Sequence, residues 1–445
     1  MALKLVIIGG GSSYTPEIIE GIIKRHQHFP VKEIVLVDIE EGEEKVRITS
    51  ELAKRMIKHA DVPIELSYTK DRAKALKHAD FVTVQIRVGG LKARALDERI
   101  PLSHGLIGQE TNGAGGIFKA LRTIPVMLDI ARDIKEICPE AWLINFTNPA
   151  GIVTEALLKH GAHQKVIGVC NIPYNMKNSI AEIFDVNVNR VMIEFAGLNH
   201  FVFGQKVWID GVDRTEETID HLLNDTIDYS PSNIAMLPWN RQFLRSLRML
   251  PNPYHQYYYQ YEDVLAKDIE AYKNKGTRAE AVMDVEKQLF EKYKDADIHE
   301  KPKELEERGG AYYSESACSL MNSLYHHSMD IQTVNTLNKG SIPDLPHDAV
   351  IEVNSVITKS GPIPLTVGKL PDSISGAVIS MKKFEQLVIE AAVTGDDNML
   401  YSAMIMNPLI SSDHKAQSVM NEMLEAHKRY LPQFFEEANV HDETK

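Results

Sequence analysis

Four consecutive apolar residues, Leu5 to Ile8, run straight into Gly9-Gly10-Gly11-Ser12-Ser13, and an apolar pattern at helical spacing follows at Ile18, Ile19, Ile22 and Ile23. This feature constrains the fold of the 445-residue chain more than any other, because strand, glycine turn and helix in that order open a βαβ unit. The next apolar run, Ile34 to Val37, ends in Asp38. Glycines in such a turn let the backbone approach a pyrophosphate, whose charge then rests on N–H groups at the helix N-terminus. An acid at the tip of the second strand is placed to take a ribose 2′-hydroxyl. Gly9, Gly11, Ser12, Ser13 and Asp38 are therefore the candidate dinucleotide-binding residues, although Tyr14 stands where the GxGxxG pattern has its third glycine.

Further strands are expected at Ile64 to Tyr68, Phe81 to Ile86, Trp142 to Phe146 and Lys165 to Val169, with helical patterns between several of them. Met127, Ile130, Ala131 and Ile134 mark one such helix, ended by Pro139. Alternating strands and helices predict an α/β fold with a Rossmann-type doubly wound parallel sheet over residues 1–171. Residues 172–445 read as a second, α+β domain for substrate, metal and oligomerisation, with helices that can return to the first lobe. In it, Val191 to Phe195 and Phe201 to Ile209 are strand candidates. The Lys- and Glu-dense run from Asp263 to Arg308 reads as a solvated helix or a lid, and Met381 to Ala392 and Ser418 to Tyr430 read as amphipathic closing helices.

Composition excludes several classes. The net charge of −13 argues against nucleic acid or an anionic membrane as partner. Three cysteines, Cys138, Cys170 and Cys318, none in a CxxC pair, argue against a disulfide framework or structural zinc. No apolar stretch approaches the roughly 18 residues of a membrane span, and Met1-Ala2-Leu3-Lys4 leads directly into a strand rather than a signal peptide. A cytoplasmic protein is expected.

Several segments would emerge at the carboxyl edge of the sheet, where α/β proteins bind ligands. Arg94, in the stretch from Ile86 to Glu98, can grip a phosphate or carboxylate, or can simply pair with Asp97 or Glu98 on a helix surface. Gly108-Gln109-Glu110-Thr111-Asn112-Gly113-Ala114-Gly115-Gly116 reads as a flexible polar loop without a packing purpose, a wall of the cleft. Asn148-Pro149, Cys170-Asn171 and Asn199-His200 end three further strands. Cys170 and His200 at neighbouring strand tips could share a divalent metal at an open catalytic site, although Cys170 judged alone reads first as a small buried hydrophobe. Five tyrosines crowd the eight positions from Tyr254 to Tyr261, by default an aromatic cluster, though a tuned tyrosine can act as a base.

Taken in order, the glycine turn, VGGLKARALDE, GQETNGAGG, ALRTIPV, NFTNP, VCNIP, GLNHF, PNPYHQYYY and ERGGAYYS resemble glycoside hydrolase family 4, specifically its 6-phospho-β-glucosidases. That family is an exception to the two-carboxylate rule for glycosidases. The resemblance implies a fold like that of lactate and malate dehydrogenases, with NAD and a divalent metal, typically Mn2+, as cofactors. It implies redox elimination on a phosphorylated disaccharide or β-glucoside such as cellobiose 6-phosphate: oxidation of the sugar at C3, removal of the C2 proton, loss of the C1 aglycone, addition of water and return of the hydride. Carried over by motif, Cys170 and His200 become the metal ligands and Arg94, Asn148 and Arg308 the sugar-binding residues. Tyr254 becomes the base, with Tyr257 and Tyr258 as rivals, and Glu110 the residue that tunes it. The α-specific members carry an Asp acid where this chain has Asn171, which assigns a β-glucoside and leaves another source for the leaving-group proton. Family members commonly form homodimers or homotetramers. The competing reading is an NAD-dependent 2-hydroxy-acid dehydrogenase with Asn148 and His200 in a proton relay.

Overall fold

The computed structural model of the protein describes residues 2–224, 237–308, 313–410 and 412–435. Strands β1 (Leu3–Ile8), β2 (Val31–Val37), β3 (Glu65–Thr69), β4 (Phe81–Val84), β5 (Trp142–Asn145) and β6 (Val166–Gly168) pair in parallel in the order β3-β2-β1-β4-β5-β6. Helices α1 (Thr15–Arg25), α2 (Glu43–His59), α3 (Arg72–Leu76), α4 (Gly90–Ser103), α5 (Gly113–Ile137) and α6 (Ala150–His160) connect them. The strands are apolar on both faces because both faces are covered. Leu5, Ile7, Ile34 and Leu36 pack with Ile18, Ile22 and Leu52 of α1 and α2, whereas Val6, Ile8, Val35 and Val37 belong to the opposite core, with Phe118, Leu121 and Ile124 of α5. This is the doubly wound sheet expected. Its strand order reverses between β1 and β4, and at such a point the carboxyl ends of adjacent strands leave a crevice.

Beyond α7 (Ile172–Ile183), strands β7 (Val191–Leu198), β8 (Phe201–Ile209) and β9 (Val212–Asp213) form a separate antiparallel sheet. Helices α8 (Thr215–Leu223), α9 (Arg241–Leu247), α10 (His255–Tyr259), α11 (Tyr261–Lys275), α12 (Arg278–Lys294) and α13 (Tyr313–His326) follow. Strands β10 (Ile331–Leu337), β11 (Val350–Thr358) and β12 (Gly361–Pro364) then extend the first sheet beyond β6 to nine strands, each antiparallel to its neighbour. Sequence reading had no strands here. Helices α14 (Asp372–Thr394), α15 (Asp397–Met406) and α16 (Asp413–His427) return to the first lobe, their Val388, Met404 and Val419 joining the core under α5.

α12 is more than a solvated helix. A capping box between Thr277 and Glu280 starts it, and Val282, Leu289, Phe290 and Tyr293 are buried together with Glu286, which pairs with Lys45, while most of its other charged residues cover the outer face. Buried charge pins the returning helix as well: Lys382 of α14 reaches Glu155 of α6 at 2.6 Å and also pairs with Glu385. Among the described residues no helix is long and apolar enough to cross a membrane.

Candidate functional site

The glycine turn leaves β1 at the switch point. Gly9 takes φ +85°, a conformation that favours glycine. A Cβ on Gly10 would lie 2.6 Å from Leu36 Cβ, and one on Gly11 2.7 Å from Asp38 Oδ2. The turn therefore lies flush against β2. Asp38 accepts from Gly11 N at 2.7 Å and from Ile39 N at 2.9 Å, which fixes its carboxylate at the β2 tip, and burial raises its pKa. Gln85, past β4, donates to Gly9 O at 3.3 Å and to Thr15 Oγ1 at 3.0 Å, tying the two sides of the crevice. Ser12 and the buried Ser13 complete the turn, and Ser13 O accepts from Tyr293 at 2.8 Å. A backbone without side chains, opening a helix beside an anchored acid, fits a dinucleotide. The negative Asp38 fits an unphosphorylated ribose.

The segment before α5 is a wall of the cleft, as expected, but it is not flexible. Gln109 Oε1 accepts from Thr111 N at 2.5 Å, Thr111 Oγ1 at 2.9 Å and Asn112 N at 2.8 Å. The expected loop is already helix from Gly113, and the glycines of that first turn have a packing purpose after all: a Cβ on Gly115 would meet Gln109 O at 2.3 Å, and one on Gly116 would meet Thr111 O at 2.5 Å. Glu110 projects from this turn into three cations, Arg87, Arg94 at 3.0 Å and Lys119 at 2.9 Å. They hold it well below the usual carboxylate range against the effect of burial. Lys119, buried in α5, is pushed down to about 8 by burial and by Arg87. Arg94 pairs with Glu98 at 2.7 Å as the plain reading had it, but inside the protein. Asp97 turns instead to Arg122.

Cys170 ends the strand-and-turn after β6, at the N-terminus of α7, where the backbone amides of Asn171 and Ile172 and the Asn199 side chain hydrogen-bond its sulfur. Burial nevertheless pushes the thiol up, with Glu352 adding to it. His200 sits in the two-residue turn between β7 and β8 at φ +62°. It is buried and pushed down to about 3, so its imidazole is neutral and keeps a lone pair for a ligand. The Tyr254 ring stacks on His200 with centroids 3.8 Å apart and planes 11° from parallel. Burial raises the Tyr254 hydroxyl well above its ordinary value, with its acidic neighbours Cys170, Tyr257 and Glu110 adding to it, while a hydrogen bond with Thr111 lowers it. A buried sulfur ringed by N–H donors and a neutral imidazole, joined through their common neighbours Asn199 and Tyr254, are a donor set suited to a divalent transition metal whose remaining positions take oxygen.

The three candidate tyrosines separate here. Tyr254 alone of them touches the His200 ring; Tyr257 engages Gln109, and Tyr258 donates to Asn112 Oδ1 at 3.1 Å. Asn148 follows β5 and accepts from Ala150 N at 3.3 Å, just before α6, while Pro149 and Gly151 line a small pocket with Asn199 and His200. Arg308 ends the short turn Lys303–Arg308, but its side chain lies outside the described residues. Sequence reasoning missed Lys119, Arg278, Asn199 and Glu352. Arg278, first in α12, faces Arg94, Glu98, Glu110 and Tyr14. Glu352 on β11 accepts from Asn199 at 3.0 Å and Asn335 at 2.9 Å and is pushed up to about 7 by burial. These residues lie on elements far apart in the chain, and only Asn199, beside His200, carried a local signal.

Residues 4–186 match the model of the family 4 glycosyl hydrolases, and residues 195–410 match that family's C-terminal domain. The chain is 55% identical over 433 residues to the probable 6-phospho-beta-glucosidase of Bacillus subtilis (strain 168), covering 97% of this chain and 98% of the relative. It is 46% identical to the 6-phospho-beta-glucosidase of Escherichia coli (strain K12), covering 97% of each. The 6-phospho-beta glucosidase of Thermotoga maritima, solved with manganese, NAD+ and glucose-6-phosphate, has a TM-score of 0.87 to this structure at 34% identity, covering 96% of this chain and 99% of that one.

Proposed function

The chain belongs to family 4 of the glycosyl hydrolases, and from that premise we propose that it hydrolyses 6-phospho-β-glucosides to glucose 6-phosphate and the aglycone, by redox elimination with NAD and Mn2+ or another divalent metal. The observation that carries this reading is the near full-length identity to 6-phospho-beta-glucosidases. The dehydrogenase alternative is not favoured.

Gly9, Gly11, Ser12, Ser13 and Asp38 are proposed to hold NAD, and Cys170 and His200 the metal. When bound, NAD supplies reversible oxidation at sugar C3 and the metal supplies Lewis acidity at the C2 and C3 oxygens. The chain's own residues do the rest. Tyr254 Oη takes the C2 proton, a role supported by its ring contact with His200. A phenol held this high by burial needs added positive charge beside it before it can act as a base near neutrality. Glu110 works on Tyr254 through its ion pairs: its own charge raises the phenol, so its part in tuning is to hold Arg87, Arg94 and Lys119 in place around the cleft. Arg94, Asn148 and Arg308 bind the phosphorylated sugar. Asn171, lacking an acidic proton, can hydrogen-bond the leaving side but cannot protonate it, so that proton comes from water or another residue. The packed turn of Gln109 to Asn112 excludes water from one wall.

Two further readings belong with this one. The enzyme works in the cytoplasm, where its three buried free cysteines stay reduced. It acts as a homodimer or homotetramer: Ile331 (β10), Val356 (β11) and Ile363 (β12) stand opposite one another in one row, and Ile331 and Ile363 are 45% and 56% exposed, an apolar row at the end of the sheet.

The test is release of p-nitrophenol from its β-glucoside 6-phosphate after dialysis against a chelator, with NAD+ and Mn2+ omitted in turn and absorbance followed for NADH. Release that needs both additions, with no net NADH and none from the α-anomer, is expected. Release indifferent to NAD+ overturns the mechanism, and stoichiometric NADH without phenol revives the dehydrogenase.

A further inference from the structure

Far from the catalytic cleft, the C-terminus of α2 meets the segment that follows α12. His59, the last residue of α2, His299 and Glu300 bring one potential ligand atom each to within 4.8 Å of one another. They are the one such group of three among the described residues. Proximity of polar groups on a surface is common, but here the group is also oriented. His299 Nδ1 lies 2.9 Å from Asp297 O, and a carbonyl oxygen can only accept, so Nδ1 carries the proton and Nε2 carries the lone pair. A backbone carbonyl holding one ring nitrogen is how metal-binding histidines are held in the ligating tautomer. The His59 and His299 ring centroids are 3.7 Å apart with their planes tilted by 37°, so the two imidazoles are already in contact.

The segment carrying His299 and Glu300 is itself anchored on α2. Arg55, one turn before His59 and on the same side of the helix, donates through Nε to Ile298 O at 2.8 Å and through Nη2 to Tyr293 O at 2.7 Å. Asp295 tightens the turn by accepting from Asp297 N at 3.0 Å. The backbone that presents the ligands is therefore fixed before any ion arrives, and small side-chain rotations suffice to close three donors to metal-bond spacing. Part of each ligand's ordering cost is already met by the fold.

We propose that His59, His299 and Glu300 form a second metal site, for a borderline divalent ion of the Zn2+ or Ni2+ kind, separate from the catalytic one. Two imidazoles and a carboxylate match that class and not Mg2+ or Ca2+, which take oxygen. Water completes the coordination, since His59 and Glu300 are exposed. The ion cross-links α2 of the nucleotide layer to the segment that follows α12, and Tyr293 of α12 holds the carbonyl of Ser13 in the glycine turn.

The test is a Zn2+ titration of the full chain against a chromophoric chelator, comparing wild type with His59→Ala and His299→Ala, both remote from the proposed catalytic residues. The wild type is expected to bind one more equivalent than either variant, or to bind it at least about 10-fold more tightly, while Mn2+-dependent hydrolysis stays unchanged. As a check that does not depend on variant folding, wild-type crystals soaked in Zn2+ and measured at the zinc edge should show an anomalous peak between His59, His299 and Glu300. Equal stoichiometry and affinity in all three proteins overturns the proposal, as does the absence of the peak; a peak without a lost equivalent means binding at crystal concentration only and overturns it too.

Discussion

Tyr254, Tyr257 and Tyr258 stand within five residues of one another, yet each meets a different partner. Tyr254 lies on the His200 ring, Tyr257 faces Gln109, and Tyr258 bonds Asn112. In sequence they were interchangeable, because a helical turn sweeps neighbouring side chains through all directions and nothing local says which direction is the cleft. The difference predicts three distinct kinetic results. Tyr254→Phe removes the proposed base and should lower kcat by about 10²- to 10⁴-fold, the usual worth of a positioned base, with NAD+ binding unchanged by fluorescence titration. Tyr257→Phe and Tyr258→Phe should keep most of kcat and lose about 1 kcal/mol of stability through a missing hydrogen bond. A Tyr258→Phe variant as inactive as Tyr254→Phe would move the base to Tyr258.

At the scale of elements, the cleft walls are set by charges buried between helices. Asp97 of α4, fully buried, receives both guanidinium nitrogens of Arg122 from α5, at 2.8 and 2.7 Å, and lies 3.0 Å from His427 at the end of α16. Three helices from distant parts of the chain thus converge on one carboxylate. Burial alone would raise its pKa, but Arg122 and His427 more than offset that and hold it below 3.8. A folded pKa below the unfolded one means that the stabilisation is fully present above about 3.8 and is lost as pH falls through the folded value. Asp97→Asn should cost about 3–5 kcal/mol at pH 7, because it leaves Arg122 buried without its counter-charge. In urea unfolding, the gap between wild type and variant should narrow below that pH. A gap of the same size at pH 3 and pH 7 would show that the loss is one of packing and not of charge.

For the whole molecule, the two cores decide how the chain unfolds. The core under α5 takes Val6 and Phe118 from the first lobe, Phe203 from the small sheet and Val388 and Met423 from the last helices, and the opposite core joins Leu5 and Ile18 to Tyr293, Met321 and Ile357. Neither face of the parallel sheet is closed by its own sequence neighbours. A fragment of residues 1–171 should therefore not fold cooperatively, binding a hydrophobic dye and giving poorly dispersed amide spectra, while the full chain should unfold in one calorimetric transition. A well-dispersed, NAD-binding fragment would show that the first lobe is self-sufficient.

What the sequence by itself determined is what local pattern encodes. Continuous apolar runs flanked by turns marked β1, β2, β4, β5 and β6, because strands buried on both faces must be apolar throughout; the glycine turn and Asp38 marked the switch point, because only glycine fits against Leu36 and the Asp38 carboxylate. The ordered motifs were enough to recognise the family. Tertiary structure alone decided the rest: that β10 to β12 join the first sheet antiparallel, that the Gln109 turn is packed and not loose, that Lys119 and Arg278 face Glu110, and that Glu352 stands behind Asn199. Each of these depends on contacts between residues remote in the chain. Their residue types are those of any surface loop or helix, and burial, which sets both partners and proton affinities, exists only once the layers have come together.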